Sequence, residues 1–319
     1  MLPPISFDLI PAALQPKAQM HWTQFCDRLD VPLQTRLDEA VKAAPEAGLS
    51  QLAFCFAASE FIARESIANP EVLIELLASA DLWRSLGDCG YENFRHEVAT
   101  IADDKAFDVC LRRHRRREMM RIVWRDLTRS AEAHYGTASE LASSAEALYE
   151  TTGELSEFAD TAVQLALDFH YQQLVEVHGT PVSKKTGEPQ LMLVLGMGKL
   201  GARELNVSSD IDLIFAYPES GETRGNADGK RELSNQEFFI RLGQRLVKSL
   251  DAKTVDGFVF RTDMRLRPCG QSGPLVMNFR SLEDYYQTQG REWERYAMIK
   301  ARPVAINTAH GEVLAERVS

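Results

Sequence analysis

The sequence predicts an α+β fold, helical first and mixed later, on three observations. Up to about residue 178 apolar residues recur at intervals of three and four with few β-branched runs, the period of amphipathic helices. Beyond the polar, turn-forming stretch 179–190 (GTPVSKKTGEPQ), short apolar segments alternate with helical ones. Within that second part, residues 191–217, LMLVLGMGKLGARELNVSSDIDLIFAY, read as an apolar strand, a glycine-rich turn and a second strand carrying Asp210 and Asp212.

Taken in order, the spacing predicts helices over 50–67, 71–85, 105–130 and 138–150. Pro70 suits a first helical turn with Asn69 as its cap. A longer helix runs from Gly153 to His178, burying Leu155, Phe158, Ala162, Leu165, Phe169 and Leu174, and Gly179 and Pro181 end it. The stretch 179–190 is expected to be a loop. Strands are expected at 190–196, 210–217 and 257–267, a helix at 234–251, a surface loop at 218–232, and helices at 281–288 and 291–302. The last residues, GEVLAERVS, look like another helix start, so a fragment of a longer protein and a frayed terminus are both open readings.

At 319 residues the chain has room for two domains. Its 45% hydrophobic and 26% charged content is that of an ordinary soluble globular protein. A net charge of -10 argues against bulk nucleic acid as the partner, which demands a large phosphate-neutralising surface. The five cysteines are scattered without CxxC spacing, which fits reduced thiols in a cytoplasmic protein. The first residues, MLPPISFDLIPAAL, do not read as a signal peptide, and no apolar run approaches the roughly 18 residues that span a membrane.

Asp210 and Asp212 share one face of their strand, because successive side chains alternate, while Ile211, Leu213 and Phe215 take the other. Two carboxylates converging beside a glycine turn suit a divalent cation carrying phosphate, since Mg²⁺ is commonly held by one or two carboxylates and substrate phosphate oxygens. That chemistry points to nucleotidyl transfer. Gly196, Gly198 and Gly201 spell GxGxxG, but only Lys199–Asn206 separate the turn from the next strand, too little for the helix of a dinucleotide-binding unit. The glycines then serve to let backbone N–H groups approach phosphate, with Lys199 as a point charge; a plain tight turn with a surface lysine is the blander alternative.

In GFVFRTDMRLRP, residues 257–268, strand alternation puts Arg261, Asp263, Arg265 and Arg267 on one face. An acid among three arginines stays ionised, and a surface ladder of ion pairs is the alternative. The basic run RRHRRRE, 112–118, is expected to be a solvated helix face or an interdomain contact. In REWERYAMIKAR, 291–302, Trp293, Ala297 and Met298 read as core, while Arg291, Arg295 and Arg302 share a helical face able to reach phosphate or an acidic partner. The seven histidines form no HxxxH or HExxH pair, so a histidine metal site is not expected.

GMGKLGARELNVSSDIDLIF, together with DGFVFRTDMRLRPCGQSGPLV, LEDYYQTQGREWERYAMIKAR and LRRHRRREMMRIVW, closely resembles the glutamine synthetase adenylyltransferase family, bifunctional regulators of bacterial nitrogen assimilation. The resemblance runs from about residue 50 to the end, and DMRLRP and GREWERYAMIKAR look like the family's amino-terminal, adenylyl-removing copy. It implies a DNA polymerase β-like nucleotidyltransferase domain with a small mixed sheet over residues 138–319, shortened in its C-terminal helical part, after an all-α domain over residues 1–137. Ala202 and Arg203 depart from the glycines expected after GMGKLG. By the resemblance, Asp210, Asp212 and Asp263 bind a pair of Mg²⁺ ions, and Gly196, Gly198, Ser208 and Ser209 border the phosphates. Phosphate-contacting roles for Lys199, Arg265 and Arg267 are added from charge and strand parity.

The reaction so implied is phosphorolysis: inorganic phosphate attacks the α-phosphorus of adenylyl-tyrosine on glutamine synthetase, releasing ADP and free tyrosine. The partners implied are glutamine synthetase, the PII signal protein, phosphate and adenine nucleotide, with neither nucleic acid nor membrane. ATP-dependent adenylylation, or a non-catalytic fragment that binds glutamine synthetase or PII, stand as alternatives.

Overall fold

A computed structural model describes residues 5, 7, 10–44, 48–85, 90–134, 139–224 and 232–307, with the backbone alone at 130–134 and 139–144. Its contacts group the chain into two units, residues 1–94 with 113–155, and residues 95–112 with 156–319. The expected boundary at 137/138 and the expected helix start after Gly311 lie outside the described residues.

The first unit is helical, and several helix starts have a local cause. Helix α1 covers Gln15–Cys26; α2, Val31–Ala43, begins where Asp30 accepts from Leu33 N and a proline follows. The helix expected over 50–67 is two, α3 (Gly48–Ala58) and α4 (Glu60–Ala68), because Ser59 leaves the helical region and caps the second through Ile62 N. Helix α5, Pro70–Ala78, starts on Asn69 and Pro70 as expected, though Asn69 makes no side-chain cap bond. Phe25, Leu37, Phe56, Ile62, Leu73, Leu76, Met120 and Trp124 form the core of this unit.

Helix α6 is Glu92–Ala99, α7 is Asp104–His134 and α8 is Ser139–His178. The two helices expected at 138–150 and 153–178 are thus one, since an isolated glycine such as Gly153 costs a helix only about 1 kcal/mol. The basic run in α7 is not a solvated face. Arg112 is buried and donates to the carbonyls of Asp108, Ala252 and Gly257 at 2.8–3.1 Å. Arg117 pairs with Asp81 and with Glu118, Arg116 lies 3.3 Å from Glu65, and the buried Arg121 bridges Glu118 and Glu154 at 2.9 and 2.8 Å.

The second unit holds the sheets. Strands β2 (Leu193–Met197), β3 (Ile211–Tyr217), β5 (Thr262–Asp263) and β7 (Arg302–Ile306) lie in the order β5-β3-β2-β7, with β6 (Val276–Asn278) also on β3. The sheet is mixed: β2 runs antiparallel to β3 and β7, whereas β5 and β6 run parallel to β3. Helix α9 is the single turn Gly198–Gly201 between β2 and β3, and α10, Asn235–Asp251, opens on a capping box of Ser234 and Glu237. Gly243 lets α10 close on the sheet, for a Cβ there would meet the Phe215 ring at 3.0 Å.

Strands β1 (Thr180–Ser183) and β4 (Gly221–Arg224) pair antiparallel where two loops were expected. Four-residue strands are too short for alternation to reveal, and 225–231 of the expected 218–232 loop lie outside the described residues. Helix α11 is Phe279–Thr288. The helix expected over 291–302 ends early: α12 is Glu292–Ala297, a 3₁₀ turn follows at Met298–Lys300, and Arg302 begins β7. No helix among the described residues is long and apolar enough to cross a membrane.

Candidate active site

Register assembles the site. Asp212 is the Cα partner of Met197 on β2 and of Asp263 on β5, so the end of β2, the start of β3 and the whole of β5 meet at one edge. Gly198 follows Met197 with φ +53°, a left-handed backbone that favours glycine, and a Cβ there would sit 3.0 Å from Asp212 Oδ2. Glycine at this point keeps one carboxylate oxygen of Asp212 clear. Asp212 is half-buried and Asp210, one residue before β3, is exposed.

The electrostatics separate the acids. Burial, then the charges of Asp263 and Asp210, push the Asp212 carboxyl above the usual carboxylate range, against a smaller opposing pull from Arg265. Hydrogen bonds from Arg265 hold Asp263 below that range: the Arg265 backbone N–H donates to Asp263 Oδ1 at 2.8 Å and its Nε to Oδ2 at 2.8 Å. Arg261 Nε stands 2.5 Å from Asp210 Oδ1 and its Nη2 donates to Ser208 O at 2.6 Å. Lys199 Nζ donates to Ser209 Oγ at 3.2 Å, and Ser209 Oγ in turn donates to Asn206 Oδ1 at 2.6 Å.

Other expected site residues also make structural contacts. A Cβ on Gly196 would lie 2.5 Å from Val304 Cγ1, and one on Gly201 1.8 Å from Lys300 O; Gly196 lets β7 close on β2, and Gly201 lets the 3₁₀ turn close on α9. Ser208 is tied through its carbonyl to Arg261. Strand β5 stops at Asp263, so parity carries no further, and Arg267 turns back to donate to the carbonyls of Met264 at 2.8 Å and Gln271 at 3.2 Å.

Two residues outside the expected set hold the site. Arg261 was placed on the right face by alternation, but its pairing with Asp210 needed the fold. Arg302, expected on a helical face that reaches phosphate or an acidic partner, instead starts β7 and pairs with Asp160 through two bonds at 2.8 and 3.1 Å; it also donates to Leu200 O at 3.0 Å and Gly201 O at 3.2 Å, fixing the glycine turn. Arg203 takes the left-handed φ of +59° where the family resemblance leads one to expect glycine.

The donor set fits magnesium. Three carboxylates offer hard oxygen ligands, one acid is raised by burial and then by the charge of the other two, and the glycine cradle keeps Asp212 Oδ2 open. Arg261 and Arg265 pair with Asp210 and Asp263 here.

A small mixed sheet with its carboxylates gathered at one edge, in a chain that is otherwise helical, is an α+β fold of the nucleotidyltransferase type. The profile of the glutamate-ammonia ligase adenylyltransferase family matches residues 49–317. The bifunctional glutamine synthetase adenylyltransferase/adenylyl-removing enzyme of Pseudomonas aeruginosa is 47% identical over 310 residues, 96% of this chain and 29% of that protein. Its counterparts in Nitrosococcus oceani and Thioalkalivibrio sulfidiphilus are 48% and 45% identical, over 93% and 98% of this chain and 28% and 30% of those proteins. The chain belongs to the glutamate-ammonia ligase adenylyltransferase family, and spans under a third of the length of the curated relatives it matches.

Proposed function

We propose that this chain carries an adenylyl-removing site that phosphorolyses adenylyl-tyrosine of glutamine synthetase to ADP and free tyrosine. The observation that carries the reading is the register pairing of Asp212 with Asp263 beside the Gly198 cradle, with Asp210 two residues away. The activities named for the relatives supply the substrate, and the resemblance of the DMRLRP and GREWERYAMIKAR segments to the adenylyl-removing copy favours removal over attachment.

Asp210, Asp212 and Asp263 would hold Mg²⁺, which when bound offsets charge on the attacking and leaving oxygens of an in-line displacement. Phosphate approaching a phosphodiester brings two anions together. Arg265, Arg261 and Lys199 stand beside the acids and offset that repulsion once released from their present partners. Met197 makes no side-chain cap bond at the start of α9, which suits approach of a phosphate oxygen to the backbone of the glycine turn. A phosphate oxygen bonds to the α-phosphorus, the bond from phosphorus to the tyrosine oxygen breaks, and that oxygen takes up a proton from solvent.

Incubation of the chain with adenylylated glutamine synthetase, Mg²⁺ and phosphate is expected to yield ADP, and Asp212→Asn to abolish it with little loss of fold. Labelling of unmodified glutamine synthetase from ATP, without ADP release from the modified form, identifies the attaching reaction instead.

A further inference from the structure

Trp293, Tyr296 and Ile299 were expected to be inside or were unassigned, yet they are 51%, 75% and 74% exposed. They recur every third residue along α12 and the 3₁₀ turn, so they form one strip. The opposite side of α12 is anchored: Glu294 is buried, accepts from Tyr285 Oη at 2.8 Å and from Arg291 N at 2.8 Å. The strip is therefore held rigidly outward, and nothing in its own helix requires it to be apolar.

Its position is next to the site. The Lys300 carbonyl rests against Gly201, Lys300 Nζ pairs with Glu204 at 2.7 Å, and Arg302 grips the carbonyls of Leu200 and Gly201. The turn carrying Ile299 thus abuts the same glycine turn whose first residue faces Asp212. Arg291 and Arg295 flank the strip with exposed guanidinium groups that have no carboxylate partner among the described residues, against one exposed carboxylate on the same helix, Glu292. On a chain of net charge -10, a local cationic excess around aromatic side chains is complementary to an acidic, apolar segment. Tryptophan, tyrosine and arginine are also the residues that carry most binding energy in protein interfaces.

We propose that Trp293, Tyr296 and Ile299, with Arg291 and Arg295, dock the protein substrate, seating an apolar segment with acidic side chains beside its modified tyrosine. The proposal rests on the adenylyl-removing reading and adds to it a separation of protein recognition from chemistry. A small substrate, O-adenylyl-tyrosine amide, needs the chemistry but not the strip.

The test compares the chain with its W293A/Y296A/I299A and Arg295→Glu variants. The expected result is a KM for adenylylated glutamine synthetase raised roughly tenfold or more in the triple variant, a smaller rise for Arg295→Glu that shrinks with added salt, and unchanged kcat/KM on O-adenylyl-tyrosine amide. Equal KM values for the protein substrate, or parallel losses on both substrates, overturn the docking role. Direct binding of adenylylated glutamine synthetase, measured by interferometry without phosphate, keeps the two proposals apart. If the chain turns over neither substrate, the adenylyl-removing reading falls, while weaker binding by the triple variant still supports docking and equal binding rejects it.

Discussion

Asp212 on β3 and Asp263 on β5 are direct neighbours in a parallel pairing only two residues long. So brief a pairing does little to hold a sheet together, and β5 is therefore explained by what it presents rather than by what it stabilises. Gly198 is the third side of this arrangement. Gly198→Ala would place a methyl 3.0 Å from Asp212 Oδ2 on a backbone of φ +53°. Turnover is expected to fall at least tenfold in this variant, with a stability loss of about 1–2 kcal/mol by urea unfolding. Wild-type rates would remove Gly198 from the site.

Arg265 is engaged with Asp263, and the Asp263 hydrogen bonds raise its own pKa further. Arg265→Ala should therefore have two opposite effects. Losing a cation near the incoming anion raises the KM for phosphate, while freeing Asp263 tightens Mg²⁺ binding, read by isothermal titration of the chain with Mg²⁺ alone. Unchanged values in both measurements would show that Arg265 serves only to fold the 264–267 turn.

The glycine turn and the paired aspartates were legible because they lie within one continuous stretch in which alternation and turn chemistry act locally. Asp263 was legible as an acid among arginines, but its partner was set by register between segments some fifty residues apart in sequence. Parity failed for Arg267 for a specific reason: alternation presumes a strand, and β5 is only two residues long. Trp293 shows the converse error. Helical spacing identifies a shared face, yet only the anchoring of Glu294 by Tyr285 decides which face is turned inward. The arginine run of α7 looked solvated because its acids, Asp81, Glu65 and Glu154, are distant in sequence.

That run supplies a stability prediction. Arg121 is fully buried between Glu118 and Glu154, and Arg125 also pairs with Glu154. Removing one member of a buried charge set leaves the others uncompensated, which typically costs 3–5 kcal/mol. Arg121→Met is expected to lower unfolding stability by about 3 kcal/mol, since Arg117 and Arg125 remain to share the carboxylates. A loss below about 1 kcal/mol in chemical denaturation would mean that the network is worth no more than an exposed pair.

His170 makes stability depend on pH in the second unit. It is buried, its Nε2 lies 2.8 Å from Ser249 Oγ, and burial pulls its pKa down to about 4. The charges of Asp104 and Asp108 favour the imidazolium and that of Arg245 opposes it, but both are smaller influences than burial. In the unfolded chain a histidine titrates near 6.5. Between these values the unfolded state binds a proton that the folded state does not, so stability rises with pH across the interval and falls on acidification. The contribution is complete well above pH 6.5 and is lost progressively toward pH 4, amounting to about 1.6 kcal/mol between pH 6.5 and 5. His170→Gln keeps a polar group near Ser249 without a titrating one. Urea unfolding at pH 5, 5.75 and 6.5 is expected to show a slope in the wild-type chain that is shallower in His170→Gln by that amount. Parallel slopes would place the proton uptake on another group.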